Sequence, residues 1–301
     1  MTGTTTTEQQ RGHAARGATL VTDSQVHIWT PDEFDESAWP AEHDVKSWVH
    51  TPFGAEALLE QMDAAGVARA FLVPPAFDGV GKNDYCLDTA RRHPERFRVM
   101  GRLPLDAPEG PELVERWAEE EWGLGLRFSV FMPRQRQWLD EGGDLDWFWP
   151  MAARLSLPLM IYPGPDAQTL AAVGRVAQRH EDLRISIDHM AVAPYDIVDD
   201  EAFAHLDELV ALAALPNIAV KVSAVPEYSS EAYPYRNLHP YLERIIGAFG
   251  AGRSFWGTDI PRLSSSYRES VTMFTEELSW LSPAELDLVM GRACCTWHGW
   301  S

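Results

Sequence analysis

Two residues on one short segment pose the chemical question. In Asp23-Ser24-Gln25-Val26-His27-Ile28-Trp29, Gln25 and His27 stand two apart, and residues i and i+2 of a β-strand share a face. Two histidines at that spacing would supply half of a divalent-metal site. Gln25 beside His27 offers one good ligand and one poor, neutral one. Other polar residues end other apolar runs. Arg127 and Ser129 close Leu126-Arg127-Phe128-Ser129, and Tyr162 closes Met160-Ile161-Tyr162. His189 closes Ile185-Ser186-Ile187-Asp188-His189, and Lys221 and Ser223 share a face in Val220-Lys221-Val222-Ser223. Asp259 and Arg262 lie in Trp256-Gly257-Thr258-Asp259-Ile260-Pro261-Arg262.

Charged side chains among apolar neighbours are costly to bury unless paired or functional. Each has a bland explanation on its own. A strand-end histidine is often a hydrogen-bonded core residue, Asp259 can cap a turn, and Lys221 can stretch its stem toward solvent. Taken together, His27, Arg127, His189, Lys221 and Asp259 read as a site.

The elements that would carry them alternate along the chain. Apolar, β-rich runs cover Thr19–Trp29, Arg69–Val73, Arg98–Leu103, Leu124–Phe131, Leu157–Tyr162, Leu183–Met190, Ile218–Val222 and Arg253–Gly257. They are apolar enough to be buried on both faces, as parallel strands are. Helical patterns lie between them at Ala55–Ala65, Asp84–His93, Pro111–Glu120, Leu145–Leu155, Ala167–His180, Asp200–Leu215, Pro240–Phe249 and Tyr267–Trp280. A last helix, Pro283–Trp297, opens with a Ser282 cap and Pro at its first position. Eight strand–helix units predict a (β/α)8 TIM barrel, α/β in class, as a single domain over 19–301 with an extra C-terminal helix. A doubly wound sheet would show a glycine-rich loop after the first strand. Here that strand runs into Thr30-Pro31-Asp32-Glu33. The long connection from Pro31 to Pro52 would lie on the catalytic face, as a lid or as a surface loop.

Composition bounds the partners. The chain has 301 residues, 45% hydrophobic and 23% charged, with a formal net charge of −20, a profile with enough apolar residues for a full core. Acidity of that size argues against nucleic-acid or anionic-membrane binding. No apolar run approaches a membrane span. Residues 1–18 lack an apolar signal core and read as a disordered tail, so the cytoplasm is the default location. Cys86, Cys294 and Cys295 make no disulfide framework. A homo-oligomer is only the expectation from general frequency.

Four of these segments, Asp-Ser-Gln-Val-His-Ile-Trp (23–29), Ile-Asp-His-Met (187–190), Val-Lys-Val-Ser (220–223) and Trp-Gly-Thr-Asp-Ile-Pro (256–261), resemble the amidohydrolase superfamily, in its amidohydrolase 2 branch. That branch includes sugar lactonases, pyrone-dicarboxylate lactonases and resorcylate-type decarboxylases. The resemblance covers about residues 19–298 and implies a TIM barrel and hydrolytic chemistry. Its metal-dependent members carry His-x-His on strand 1, a histidine ending strand 5 and an aspartate on strand 8. Here Gln25 replaces the first histidine, and Tyr162 and Pro163 stand at the strand 5 position. Of those four ligands only His27 and Asp259 remain, with His189 adjacent, so the set that would hold zinc or manganese, His27, His189 and Asp259, is weak beside the three or four good ligands such sites normally use.

Three readings follow. In the first, a metal-independent hydrolase opens a lactone or similar activated cyclic ester. Asp259 takes a proton from water, with burial raising its pKa, and His27 and His189 polarise the carbonyl. Gln25, Arg127, Tyr162, Lys221, Ser223 and Arg262 bind substrate, the two arginines suiting a carboxylate. The same groups could also run an isomerisation or an elimination. In the second, His27, His189 and Asp259 hold a divalent ion for hydrolysis or non-oxidative decarboxylation. In the third, the barrel binds without catalysing. Trp29, Trp39, Trp48, Phe131, Trp138 and Tyr228 near the expected mouth point to an aromatic or apolar small molecule.

Overall fold

The computed structural model describes residues 20–30, 52–75, 82–193, 197–263 and 265–301. The tail to residue 18, most of the connection after the first strand, and Trp39 and Trp48 lie outside them. Eight parallel strands follow one another in chain order around a single sheet. They are β1 (Thr22–Val26), β2 (Arg69–Leu72), β3 (Phe97–Gly101), β4 (Gly123–Ser129), β5 (Leu159–Tyr162), β6 (Ile185–Ile187), β7 (Ile218–Ser223) and β8 (Ser254–Gly257). The last strand returns to the first: Val26 bridges Ile260. Asp259 N–H donates to Gln25 O at 2.9 Å, and His27 N–H to Ile260 O at 2.8 Å. The sheet is thus a (β/α)8 barrel, as the alternation predicts.

Most of the strands are predominantly apolar and bury both faces; β1, Thr-Asp-Ser-Gln-Val, is buried although four of its five residues are polar. Outward residues meet helices, among them α1 (Ala55–Ala65), α2 (Asp84–Arg92), α3 (Gly110–Ala118), α4 (Phe148–Arg154), α5 (Ala167–Arg179), α6 (Leu206–Ala211), α7 (His239–Phe249) and α8 (Tyr267–Thr272). Helix α1 buries Leu58 and Met62 and stops at Gly66. Gly66 takes φ 77°, a left-handed conformation that costs glycine little. Inside the barrel, Phe71, Met100, Met160, Ala219 and Phe255 fill one apolar cluster with Trp300. The C-terminal helix α9 (Ala293–His298) belongs to the same cluster through Cys294 and Cys295, so these thiols pack.

Four predicted segments end differently. Strand 6 stops at Ile187, and His189, Met190 and Ala191 follow with φ of 51°, 54° and 60°. Left-handed backbone is costly for residues with a Cβ. This turn is held by Tyr162 OH, which donates to Val192 O at 2.9 Å, and by His205 Nε2, which donates to Met190 O at 2.8 Å. The same His205 breaks the predicted helix Asp200–Leu215, which becomes Asp199–Ala202 and α6. The helix predicted from Ser282 does start there, with a reciprocal capping box to Glu285, but residues 288–292 widen into a π turn before α9. The predicted Tyr267–Trp280 helix likewise widens at 273–277.

Candidate active site

Strand ends at one pole of the barrel bring Gln25, His27, His189, Lys221, Ser223 and Asp259 together, all buried. Period-2 alternation places them. Gln25 and His27 lie side by side, Nε2 to Nε2 at 3.3 Å. From β7, Lys221 reaches Gln25 Oε1 and Ser223 Oγ meets His189 Nδ1 at 2.9 Å. From β4, Arg127 and Ser129 also share a face, with Nη1 donating to Oγ at 3.3 Å.

Hydrogen-bond chemistry fixes the direction of the Gln25 amide. The Lys221 ammonium has donors only, so the amide oxygen faces it and Nε2 faces the other way. Nε2 donates to Asp259 Oδ1 at 2.7 Å and lies 3.1 Å from His189 Nε2. An amide nitrogen cannot accept a proton, so His189 Nε2 accepts from Gln25, and its Nδ1 carries the hydrogen shared with Ser223. His27 Nδ1 donates to Val73 O at 2.7 Å, and its Nε2 lies 3.0 Å from Asp259 Oδ1. On the other carboxylate oxygen, Arg262 Nη1 donates at 2.9 Å.

The charges follow from this arrangement. Burial alone would raise Asp259, but His189, the Arg262 guanidinium and the hydrogen bond from His27 outweigh it and hold the carboxyl well below the carboxylate range. The expectation of a base strengthened by burial is therefore corrected: neighbouring positive charge wins over desolvation. Burial lowers His189 to about 4, against the opposing pull of Asp259 and Asp188, so its imidazole is neutral at neutral pH.

One residue of this centre carries no role in the sequence reading. Asp188 faces Lys221 Nζ at 3.1 Å and accepts from Arg127 Nε at 2.9 Å. Burial pushes Asp188 up, yet Lys221 and Arg127 bring it down to about 2. A signal was present: a buried lysine and a buried arginine require a carboxylate, and Asp188 ends an apolar run. Lys221 is therefore buried and paired and does not extend to solvent. Ser223 contacts His189, and the Tyr162 hydroxyl is engaged with Val192 O.

Of the aromatic residues expected at the mouth, Phe131 packs on Tyr162 at 5.3 Å, and Tyr162 lies 6.0 Å from the His189 ring. Burial raises the Tyr228 hydroxyl, with Arg262 and Asp259 close enough to act on it. Trp29 and Trp138 are core residues. Arg134 and Arg136 are exposed and pair with Asp106 and Asp166. A cleft of about 400 Å³ lies between α1 and the stretch after β8, against Phe53, Gln61, Ile260, Tyr267 and Arg268, and is lined by none of the cluster residues.

Whether the residues fit a metal ion can be tested on this geometry. His27 Nε2, His189 Nε2 and Asp259 Oδ1 converge, but on the Gln25 amide nitrogen, at 3.3, 3.1 and 2.7 Å. These are hydrogen-bond lengths, longer than the roughly 2.0–2.2 Å of zinc to nitrogen or oxygen. Among the described residues, no three His, Cys, Asp or Glu side chains are arranged to hold a metal ion. As placed, the donor set does not fit one.

The fold is a (β/α)8 barrel with a buried polar cluster at its strand ends, and comparison gives its family. Residues 22–293 match the family model described as amidohydrolase, and the chain belongs to that family. It is 28% identical over 243 residues to an L-fucono-1,5-lactonase of Burkholderia ambifaria, covering 79% of each chain. Its fold matches an amidohydrolase of Burkholderia multivorans with bound zinc, at a TM-score of 0.76 and 22% identity over 93% of this chain and 99% of the other. It also matches a structure assigned as a 2-pyrone-4,6-dicarboxylic acid hydrolase of Pseudomonas putida, at a TM-score of 0.72 and 21% identity over 94% and 98%. The chain is an enzyme of the amidohydrolase type. Among the described residues, no helix is long and apolar enough to cross a membrane.

Proposed function

We propose that this chain hydrolyses a lactone without a metal ion. The observation that carries the reading is the Gln25 amide nitrogen standing among His27, His189 and Asp259. The lactonase relative, itself acting on a sugar lactone, supports the substrate class. Asp259 is the proton acceptor for the attacking water. Its carboxylate is ionised throughout the working pH range and is a weak base, which suits a carbonyl already activated in a cyclic ester. An unstrained amide would ask more of it.

In this reading His27 and the Arg262 guanidinium, both held against the Asp259 carboxylate, also stabilise the negative charge that develops on the substrate's carbonyl oxygen. His189, whose Nε2 accepts a hydrogen bond from the Gln25 amide in this arrangement, seats Gln25 and has no hydrogen on that nitrogen to offer the carbonyl. Arg127, paired through Nε with Asp188 and lying beside Tyr162 and Ser129, orients a carboxylate or polar substituent of the substrate in this reading.

The test is a panel of lactones, including L-fucono-1,5-lactone and 2-pyrone-4,6-dicarboxylate, followed by proton release with and without a chelator. Turnover that survives chelation is the expected result. Turnover lost on chelation and restored by zinc or manganese would establish the metal-dependent alternative. No turnover on the panel or on aromatic acids would favour a binding barrel.

A further inference from the structure

The orientation of the Gln25 amide has its own cause. Lys221 is wholly buried. Its ammonium sits between Asp188 Oδ1 at 3.1 Å, Met160 Sδ at 3.5 Å and Gln25 Oε1. An amide oxygen can ligate a hard cation, and an amide NH2 group cannot. By taking the oxygen, Lys221 leaves Gln25 only its two N–H donors to offer, and these meet Asp259 Oδ1 and His189 Nε2. The amide then fills the point on which three potential ligands converge, and it does so with the wrong chemistry for a metal.

We propose that Lys221 is a positioning residue that, through Gln25, keeps a divalent cation out of the space between His27, His189 and Asp259. The proposal rests on the metal-free reading of the site and assigns its cause. Turning the amide would break its contact with the ammonium and set its oxygen against the Asp259 carboxylate. Cation exclusion is therefore built from one buried ion pair, Lys221 with Asp188, and one amide.

Chelator-stripped protein titrated with zinc chloride alone tests this, with bound zinc counted by elemental analysis after desalting. Wild type is expected to keep less than about 0.1 zinc per chain. Gln25→Ala vacates the centre and leaves the Lys221–Asp188 pair intact. Lys221→Met frees the amide to turn its oxygen inward. Each is expected to hold about one zinc, at least about a hundredfold more tightly than wild type, and adding Asp259→Asn should abolish the gain. Because Lys221 acts through Gln25, the Gln25→Ala/Lys221→Met double variant should bind within about threefold of Gln25→Ala alone.

A double variant showing the product of both gains would assign Lys221 a bare charge effect and overturn the positioning role. Wild type holding zinc as tightly as the variants would overturn the proposal outright. If Lys221→Met strands Asp188 and fails to fold, Lys221→Met with Asp188→Asn takes its place. Failure of that pair to fold would assign Lys221 to core stability and likewise overturn the proposal. Zinc is counted without substrate, so the outcome does not depend on which lactone, if any, the chain opens.

Discussion

Asp23 and Asp259 are both wholly buried, one in β1 and the other just past β8, and the molecule holds them in opposite ways. Asp23 receives the N–H groups of Gln25 and Thr258 at 3.0 and 2.9 Å, Thr258 Oγ1 at 2.5 Å and Tyr267 OH at 2.8 Å. All four donors are neutral, and burial still raises its pKa to about 6. Asp259 has Arg262 and His27 beside it and falls well below the carboxylate range. The neutral hydrogen bonds to Asp23 offset only part of the cost of taking its charge out of water, whereas the Arg262 guanidinium and the imidazoles beside Asp259 more than offset it. Asp23 is thus suited to pinning backbone: it ties the main chain at Gln25 to that at Thr258. Gly257 permits this approach, since a Cβ there would lie 2.5 Å from Ser24 Oγ. Asp259 keeps its charge, as the proposed proton acceptor must.

Four experiments would break or sharpen this contrast. Asp259→Asn should show the largest effect, lowering kcat about 10³- to 10⁴-fold with an unchanged far-ultraviolet circular dichroism spectrum. Activity within tenfold of wild type would remove Asp259 from the reaction. Asp188→Asn leaves Lys221 and Arg127 without their carboxylate and should cost about 3–5 kcal/mol by denaturant unfolding. A loss below about 1 kcal/mol would mean that buried cations here need no partner.

Asp23→Asn tests the neutral arrangement through pH. The unfolded side chain releases its proton near 3.8 and the folded one near 6, so wild-type stability is lost as pH rises through that window, by about 3 kcal/mol. Asparagine does not titrate. The unfolding free energy of the variant should therefore gain on wild type by about that amount between pH 4 and pH 7, and a pH-independent gap would contradict the raised pKa. Tyr267→Phe removes one neutral donor and should cost only about 1 kcal/mol. A loss as large as that of Asp188→Asn would erase the distinction between the two kinds of partner.

Much of the barrel was legible because most strands buried on both faces are predominantly apolar, and that pattern is local. The adjacency of Gln25 and His27, and of Lys221 and Ser223, followed from the period of a strand. A helix start written in local chemistry was also readable, as at Ser282. The break at residues 203–205 was not, because His205 bonds to Met190, a distant carbonyl. Asp188 was overlooked for a similar reason. Its partners come from β4 and β7, and nothing beside it in sequence announces them.

The sequence by itself determined the eight-strand barrel, the residue types gathered at its strand ends and the presence of an amide where a second histidine would stand. Only the tertiary structure decided which end of that amide faces Asp259, and whether Asp259 is raised or lowered. Both outcomes depend on where a buried ammonium, a guanidinium and two imidazoles stand around them. Electrostatic energy in a poorly screened interior is a sum over distances in space, and separation along the chain does not encode those distances.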